Sequence, residues 1–560
     1  VRADDRPRVL IVTGTLLAVD ERSPIAAVRK QLAAMRASSG PWLDLRLKLL
    51  AAETLAGQAA ARRRGGSWAG TVERLFSSPW AEGAPELTEV VLMTLLAAES
   101  IAYEAATFAT LLADRALRDT LLARCDAVFV SSTLLRDASE LLPLVARLRR
   151  AGNRVVVGGA LAPLLAPGFA GHESIDVLAV GEGERLVPAL AAWLRGGELR
   201  APDGGRIERA GPTIVLHAGP SPGRSLDDLP RPDWSLAEQY HGRKLPMVFY
   251  ESVRGCPYRC AFCNYPYLFA DDRFRTRSAE AIADDWTAYA RAGVRWITCL
   301  DSLFTLPPRR LDALCRLLIE RRLDLRWICY ARADDLCDED RVRRMRDAGC
   351  VQVQIGLESG DAGQLERMDK RATPEQGLRA LEVCRRVGIT TLCTFIVGFP
   401  GETEATVAAT RDLILAGRPD FAYLAPFTTR VEGVPVLGPE SRARYGLVTT
   451  QGITSSAPYW RHDTMSAADV PDLLRRTNAA IVEARASLDA TLFYRTILHY
   501  ERARDREDLL DFQRDAARSG RVAQALLRGV GVWAQGRLRR DLDQVLRTSG
   551  TPSDGTTSTS

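Results

Sequence analysis

Six short apolar runs separated by helical patterns fill the stretch from Met247 to Ala425, and no other feature limits the fold of this chain as tightly. The runs are residues 248–252, 296–300, 326–330, 351–355, 391–397 and 421–425. Parallel strands need a crossover between them, and a crossover helix covers the outer face of the sheet. Strand then helix, six times over, therefore predicts a partial (β/α)6 barrel at residues 246–435. In such a barrel chemistry collects at the carboxyl ends of the strands.

At the carboxyl end of the first run stands Gly255-Cys256-Pro257-Tyr258-Arg259-Cys260-Ala261-Phe262-Cys263. Three close thiolates can hold zinc or an iron–sulfur cluster. A structural zinc site needs a fourth protein ligand and usually shows a second close pair. The other eight of the eleven cysteines are scattered singly in apolar surroundings, so no second pair exists. A four-iron cluster held by three cysteines leaves one iron open to a ligand.

Upstream, residues 8–13, 127–130, 154–157 and 177–180 read as buried parallel strands, with helical patterns such as 141–150 between them. The expectation for residues 1–197 is an open, mostly parallel, Rossmann-like α/β sheet. Residues 24–123 carry helix-like sequence and no strand pattern, which predicts a helical insertion after the first strand. Its most apolar part, Val90–Leu112, reads as a buried helix, because Glu99 and Glu104 interrupt it too often for a membrane span. Residues 198–245 are rich in Pro and Gly and read as a linker with at most one short strand pair around Thr213–His217. Residues 436–549 read as a helical region for substrate contacts, and residues 550–560 as a disordered tail. The class is α/β throughout.

With 46% hydrophobic and 26% charged residues, the 560-residue chain falls in the soluble globular range. Its 75 Lys and Arg are interspersed with 70 Asp and Glu, and the net charge of +5 leaves no nucleic-acid footprint. No export signal is evident, and the thiols look like those of a reduced compartment, so the expected location is cytoplasmic.

The Cys motif, after the first strand of a six-stranded barrel, resembles that of the radical S-adenosylmethionine (SAM) superfamily. The resemblance implies a [4Fe-4S] cluster on Cys256, Cys260 and Cys263 whose open iron chelates SAM. Gly356-Leu357-Glu358-Ser359-Gly360 is similar to the family's fourth-strand segment near the SAM ribose and amino group. Gly398-Phe399-Pro400-Gly401-Glu402-Thr403 is similar to its glycine turn near the adenine. Asp301, Ser302 and Arg332, at the ends of the second and third strands, are expected to face the mouth. Phe262 either covers the adenine or packs the loop.

The first 197 residues resemble the cobalamin-binding domain found upstream of such barrels. The matching residues are Ser131-Ser132-Thr133, Gly158-Gly159-Ala160 and Gly181-Glu182-Gly183-Glu184, each after a strand. Small residues there would let a flat macrocycle lie on the carboxyl edge of the sheet. The Asp-x-His-x-x-Gly motif that supplies an axial histidine elsewhere is absent, and His172 reads as a surface loop residue. A cation such as Arg74 is then a candidate for the lower face of the cobalt.

Together the resemblances imply a cobalamin-dependent radical SAM methyltransferase that moves a methyl group from SAM, through methylcobalamin, to a small natural-product precursor. An electron donor is an implied partner. The layout most resembles the tryptophan C2-methyltransferases of thiopeptide biosynthesis, which makes tryptophan the first substrate to consider. In those enzymes a glutamate occupies the open iron, and Glu280 in Arg277-Ser278-Ala279-Glu280 is the matching candidate. Its other reading is a helix-opening carboxylate behind a Ser278 cap. Ring contraction, cyclisation or sp3-carbon methylation through a 5′-deoxyadenosyl radical is the alternative chemistry, and a cobalamin-binding sensor the alternative class. Tyr459-Trp460-Arg461-His462 reads either as a substrate contact or as interdomain packing.

Overall fold

A computed structural model of the chain describes residues 6–14, 84–223, 225–268, 273–429, 431–450, 459–490 and 506–519, with isolated positions up to 540. Arg74 and the 550–560 tail lie outside the described residues. Two seven-stranded sheets organise the molecule.

The first sheet contains β1 (Arg8–Thr13), β2 (Ala102–Thr107), β3 (Ala127–Ser131), β4 (Arg154–Gly158), β5 (Val177–Val180), β6 (Arg206–Ala210) and β7 (Thr213–His217). Their order is β2-β1-β3-β4-β5-β7-β6, parallel except for β6. The four strands expected from sequence are all present, and the sheet is wider than expected at both edges.

The stretch 24–123 is not wholly helical. The helix Leu87–Ala98 stops at Ser100, which has a positive φ of 55°, and Ala102–Thr107 then pairs in parallel with β1. The sequence Ala-Tyr-Glu-Ala-Ala-Thr has no strand periodicity of its own, so pairing with β1 overrides its alanine-rich propensity. The single buried helix expected over Val90–Leu112 is accordingly a helix, a strand and a second short helix, Phe108–Ala113.

The 198–245 stretch is more than a linker. Its hairpin β6–β7 extends the first sheet, with β7 parallel to β5 and Thr213 hydrogen-bonded to Ile175 O at 2.9 Å. A helix, Trp234–His241, then crosses to the barrel and hydrogen-bonds back, His241 Nε2 lying 2.9 Å from Glu89 Oε1.

The second sheet contains β8 (Met247–Tyr250), β11 (Trp296–Cys299), β12 (Arg326–Ala331), β13 (Cys350–Glu358), β14 (Thr390–Val397) and β15 (Phe421–Pro426). All pair in parallel with their sequence neighbours, matching the six expected strands. Two short strands, β9 (Val253–Arg254) and β10 (Arg275–Thr276), form an antiparallel clip above β8. The C-terminal region is not purely helical: β16 (Val448–Thr449), β17 (Trp460–His462) and β18 (Met465–Ser466) make a small sheet, and β19 (Leu488–Asp489) joins the barrel beside β15.

Alternation along each barrel strand sends one set of side chains to the helices and the other into the lumen. Ile297, Cys299, Trp327, Cys329, Val353 and Cys393 belong to the outer core. That core runs without a break into one face of the first sheet, through Val9, Ile11 and Phe129. The other face packs separately around Leu10, Val128 and Val157. At the lower end of the barrel Met247, Trp296, Ile328 and Val351 close the lumen. Among the described residues no helix is long and apolar enough to cross a membrane.

Candidate active site

The Cys motif hangs from a base fixed by the sheet. Asp301, just past β11, accepts hydrogen bonds from Ser252 N (2.6 Å), Ser252 Oγ (2.7 Å) and Val253 N (2.7 Å). Burial lifts its carboxyl to about 6, while Arg310 and the Ser252 donors pull the other way. Ser302 Oγ donates to Gly255 O at 2.8 Å. Gly255 has φ +81°, and a Cβ there would collide with Arg273 O, so only glycine closes the clip. Asp301 and Ser302 therefore hold the loop instead of facing the mouth. A strand end looks the same in sequence whichever group its carboxylate binds.

Cys260 is buried, and Cys256 and Cys263 are half-buried. Burial raises the Cys263 thiol to about 12, with Cys260 and Cys256 adding to the rise. Burial also raises Cys260, against the opposing charges of Lys370 and Arg332. No three His, Cys, Asp or Glu side chains among the described residues surround a single ion position. A cubane asks for something else, one thiolate on each of three irons, with the metal charge offsetting the cost of ionising buried thiols. Three mutually interacting thiols beside two cations fit that group.

Around the thiols lie Glu358, Lys370, Phe262 and Arg332. Glu358 takes φ +64° at a bulge in β13, which swings its carboxylate back over Gly356. Lys370 Nζ binds it at 3.0 Å, both side chains being buried. Lys370 also lies 6.0 Å from the Phe262 ring, and Phe262 meets Phe399 edge-on at 6.4 Å. Lys370, twelve residues after Glu358, carried no sequence signal, because only the return of a loop brings it here. Arg332 donates to Lys370 O (2.7 Å), Arg371 O (2.8 Å) and Asp334 (2.9 Å), and its guanidinium lies over Tyr258 at 4.0 Å. It braces the loop more than it faces the mouth.

Gly398 differs from expectation as well. It has φ +94°, and a Cβ would stand 2.5 Å from Trp460 Cη2. The room left by its missing side chain belongs to Trp460, which stacks on His462 at 5.3 Å and donates to Phe427 O at 3.1 Å. Of the Tyr459–His462 cluster, Trp460 and His462 are thus interdomain packing. Nearby Glu402 is fully buried and raised to about 8 by that burial, although its carboxyl accepts from Gly398 N.

Glu280 stands exposed in the first turn of the helix Ala279–Ala292, behind a Ser278 cap that accepts from Ala281 N. It has no hydrogen bond or ion pair among the described residues. The carboxylate whose field reaches Cys260 and Cys263 is Glu358.

The first sheet meets the barrel edge to edge. Arg254 of β9 binds Glu182 (2.9 Å), Glu184 (2.7 Å) and Glu251 (3.0 Å), and Arg275 of β10 binds Glu182 at 2.5 Å. Burial opposes ionisation of Glu182, yet Arg254, Arg275 and Ser221 hold it below the usual carboxylate range. Glu182 and Glu184 thus clasp the barrel rather than turn to a ligand. Two more links cross the same gap: Arg136 to Thr428 Oγ1 (3.1 Å) and Arg273 to Ser221 O (2.6 Å). Apart from Arg254–Glu251, which lies within the barrel, every one joins a segment past the carboxyl end of a first-sheet strand to a segment at the mouth of the barrel.

On the remaining crest, Ser132 Oγ donates to Gly158 O at 2.6 Å and accepts from Leu161 N. Ser131 Oγ donates to Thr133 Oγ1 at 3.1 Å. Gly159 has φ +89°, and a Cβ there would meet Thr133 Oγ1 at 2.7 Å. Gly181 has φ +117° against Ala218. Gly159 is exposed and Thr133, Gly158, Ala160 and Gly183 are half-buried, whereas Gly14, Ser131 and Ser132 are buried, so the accessible part of this crest is formed by Thr133 and Gly158–Ala160. The strand order reverses between β1 and β3, where ligands of open α/β sheets bind. Gly14, directly after β1, belongs to this crest and could have been read from Val-Thr-Gly. His172 lies away from it, its backbone N–H bonded to Thr213 Oγ1 at 2.9 Å.

The model of the Radical SAM superfamily matches residues 250–414. This stretch is a radical SAM domain. The domain implies a [4Fe-4S] cluster and SAM. An uncharacterized methyltransferase of Pyrococcus horikoshii is 31% identical over 249 residues, 42% of this chain and 52% of that protein. An anaerobic magnesium-protoporphyrin IX monomethyl ester cyclase of Rubrivivax gelatinosus is 29% identical over 264 residues, 45% of this chain and 47% of the relative. The chain spans about half the length of these curated relatives. The solved structure of OxsB, a cobalamin-dependent SAM radical enzyme with aqua-cobalamin and SAM bound, shares the fold. Its TM-score is 0.57 at 16% identity, over 98% of this chain and 82% of that one.

Proposed function

We propose that the chain is a cobalamin-dependent radical SAM C-methyltransferase acting on a small molecule. The observation that carries this reading is the apposition of two carboxyl edges, the accessible crest of the first sheet and the mouth of the radical SAM domain, held together by Arg254 and Arg275. A unit comprising residues 1–217 would hold cobalamin over Thr133 and Gly158–Ala160, with the buried Gly14, Ser131 and Ser132 shaping the crest from beneath. The similarity to a methyltransferase and the fold shared with a cobalamin-dependent enzyme support it. The residues fit the absent groups: three thiols on a preformed loop, and a crest of small residues at a switch point.

When bound, the cluster supplies the electron that cleaves a carbon–sulfur bond of SAM, and cobalamin carries the methyl group. Cys256, Cys260 and Cys263 would ligate three irons. Phe262 would cover the adenine. Glu358, oriented by Lys370, would accept hydrogen bonds from the SAM amino group or ribose. Glu280 is exposed while Glu358 sits by the thiols, so this reading leaves the fourth iron to SAM and follows the 5′-deoxyadenosyl branch. Tryptophan is the first substrate to assay for methyl transfer without a radical, whereas the 5′-deoxyadenosyl branch calls for a substrate with an sp3 C–H bond; an electron donor is the required partner. A cyclase is the second reading, supported by the similarity to the Rubrivivax enzyme.

The test is product stoichiometry. Anaerobic turnover with SAM, methylcobalamin and a reductant should give S-adenosylhomocysteine and 5′-deoxyadenosine in equal amounts for each methylated product. S-adenosylhomocysteine without 5′-deoxyadenosine would return the fourth iron to Glu280. Deoxyadenosine alone would favour the cyclase.

A further inference from the structure

The interior of the barrel holds a group of polar atoms that nothing described so far uses. Strand register sets Phe249, Thr298, Ile328, Gln352 and Thr390 side by side in one row. The row above it holds Tyr330, Gln354, Leu392 and Phe421. These positions alternate with the outer-core residues, so both rows face the lumen. Thr298, Gln352 and Thr390 are fully buried and Gln354 is 6% exposed. Thr298 Oγ1, both amide atoms of Gln352, Nε2 of Gln354 and Oγ1 of Thr390 are buried without a hydrogen-bond partner among the described residues. A native fold rarely leaves such atoms unmatched, and five of them converge from β11, β13 and β14.

Nearer the mouth the lumen changes character. Tyr330 is 36% and Tyr423 37% exposed, although each lies on an interior strand of the sheet. Large side chains at such positions stay accessible only where the lumen is open. Neither row contains a charged residue, and a charged ligand end would stay uncompensated there.

We propose that these rows are the substrate seat: a flat apolar body lies against Tyr330 and Tyr423, and its inner end is a neutral hydrogen-bonding group, a ring N–H, amide or hydroxyl, received by Thr298, Gln352, Gln354 and Thr390. This rests on the methyltransferase reading for its reaction, but not for its binding. The seat points the other end of the body toward the cluster loop and the crest. Ordered water could satisfy the same atoms, and the experiment separates the two.

Indole and benzothiophene have nearly the same shape, and only indole carries an N–H. Their affinities for the anaerobically reconstituted full chain are to be measured by ligand-observed NMR competition. The expected result is indole binding at least about tenfold more tightly, since a site built around a hydrogen bond leaves its own groups unmatched with the analogue. In a Thr298→Val/Gln352→Leu variant the two probes should bind alike, while the unfolding midpoint is unchanged or higher because unmatched polar atoms have been removed. Tyr330→Ala should weaken both probes equally. Equal binding to the wild-type chain, as a water-filled floor predicts, overturns the proposal. So does discrimination that survives both floor substitutions, or failure of indole to bind. Loss of SAM turnover with discrimination intact would instead count against the methyltransferase reading.

Discussion

Arg254→Met removes the cation of the interdomain clasp while keeping most of its length. The guanidinium is 12% exposed and serves three carboxylates. Glu182 keeps Arg275 at 2.5 Å, and Glu251, 26% exposed, can turn to water. Glu184, 11% exposed, has no cation other than Arg254 among the described residues. Breaking a buried pair from one side costs about 3–5 kcal/mol because the partner stays buried and charged. With one such carboxylate stranded, the lower end applies, about 3 kcal/mol. Adding Glu184→Gln should return most of that loss, since a neutral amide no longer needs a cation. The assay is urea unfolding at pH 7, reading midpoint and slope for the wild type, Arg254→Met, Arg254→Met/Glu184→Gln and Glu184→Gln. A loss under about 1 kcal/mol for Arg254→Met, or no recovery in the double variant, would refute the view that stranded charge is what the clasp prevents. Iron content of the reconstituted variants gives a second measurement, and it should stay that of the wild type, because Asp301 still fixes the loop base.

Glu402 is raised to about 8 in the folded chain from the ordinary 4.5, so its protonated form contributes stability below pH 4.5 that is lost as pH rises through 8. Glu402→Gln should therefore gain stability over the wild type at pH 8.5 relative to pH 5.5 in paired urea titrations, and a pH-independent difference would contradict it. Glu182, held below the usual range, has the opposite sign: its contribution is present above pH 4.5 and fades as pH falls through its lower folded value, so Glu182→Gln should differ from wild type most at neutral pH. Replacing Cys256, Cys260 and Cys263 with Ala should lower reconstituted iron from about four per chain to none, and iron retained in that variant would point to other thiols. Gly398→Ala meets Trp460 at 2.5 Å in a left-handed conformation and should cost about 2–3 kcal/mol, read as a shift of the thermal midpoint.

What could be read from sequence was whatever repeats locally. The six barrel strands and the inner strands of the first sheet are short β-branched runs flanked by helical periodicity, and each lies where its pattern places it. Strand β2 was hidden because Ala102–Thr107 owes its conformation to β1, ninety-four residues upstream of each partner. The hairpin β6–β7 was hidden because Pro and Gly around it are equally the marks of a linker. In the site, the cysteines were legible from spacing alone. The uses of Asp301, Glu182, Glu184 and Gly398 were not, since a carboxylate can serve a ligand, a loop or another domain without any change in sequence. Each went to a protein partner, Ser252, Arg254 or Trp460, found only by folding. The buried polar row was illegible for the same reason: Thr298, Gln352 and Thr390 share a level only through register.

Asp301 gives the cluster loop an anchor that owes nothing to iron. A chain stripped of its cluster by oxygen would keep Ser252, Val253 and Gly255 tied to the sheet, with the thiols still carried beside the β9–β10 clip above it. Damage at the metal would then be a local injury to a standing scaffold, and reassembly a matter of refilling a socket rather than of refolding a domain. Such a chain can afford to lose its most fragile part repeatedly, because its durable architecture ends one carboxylate short of it.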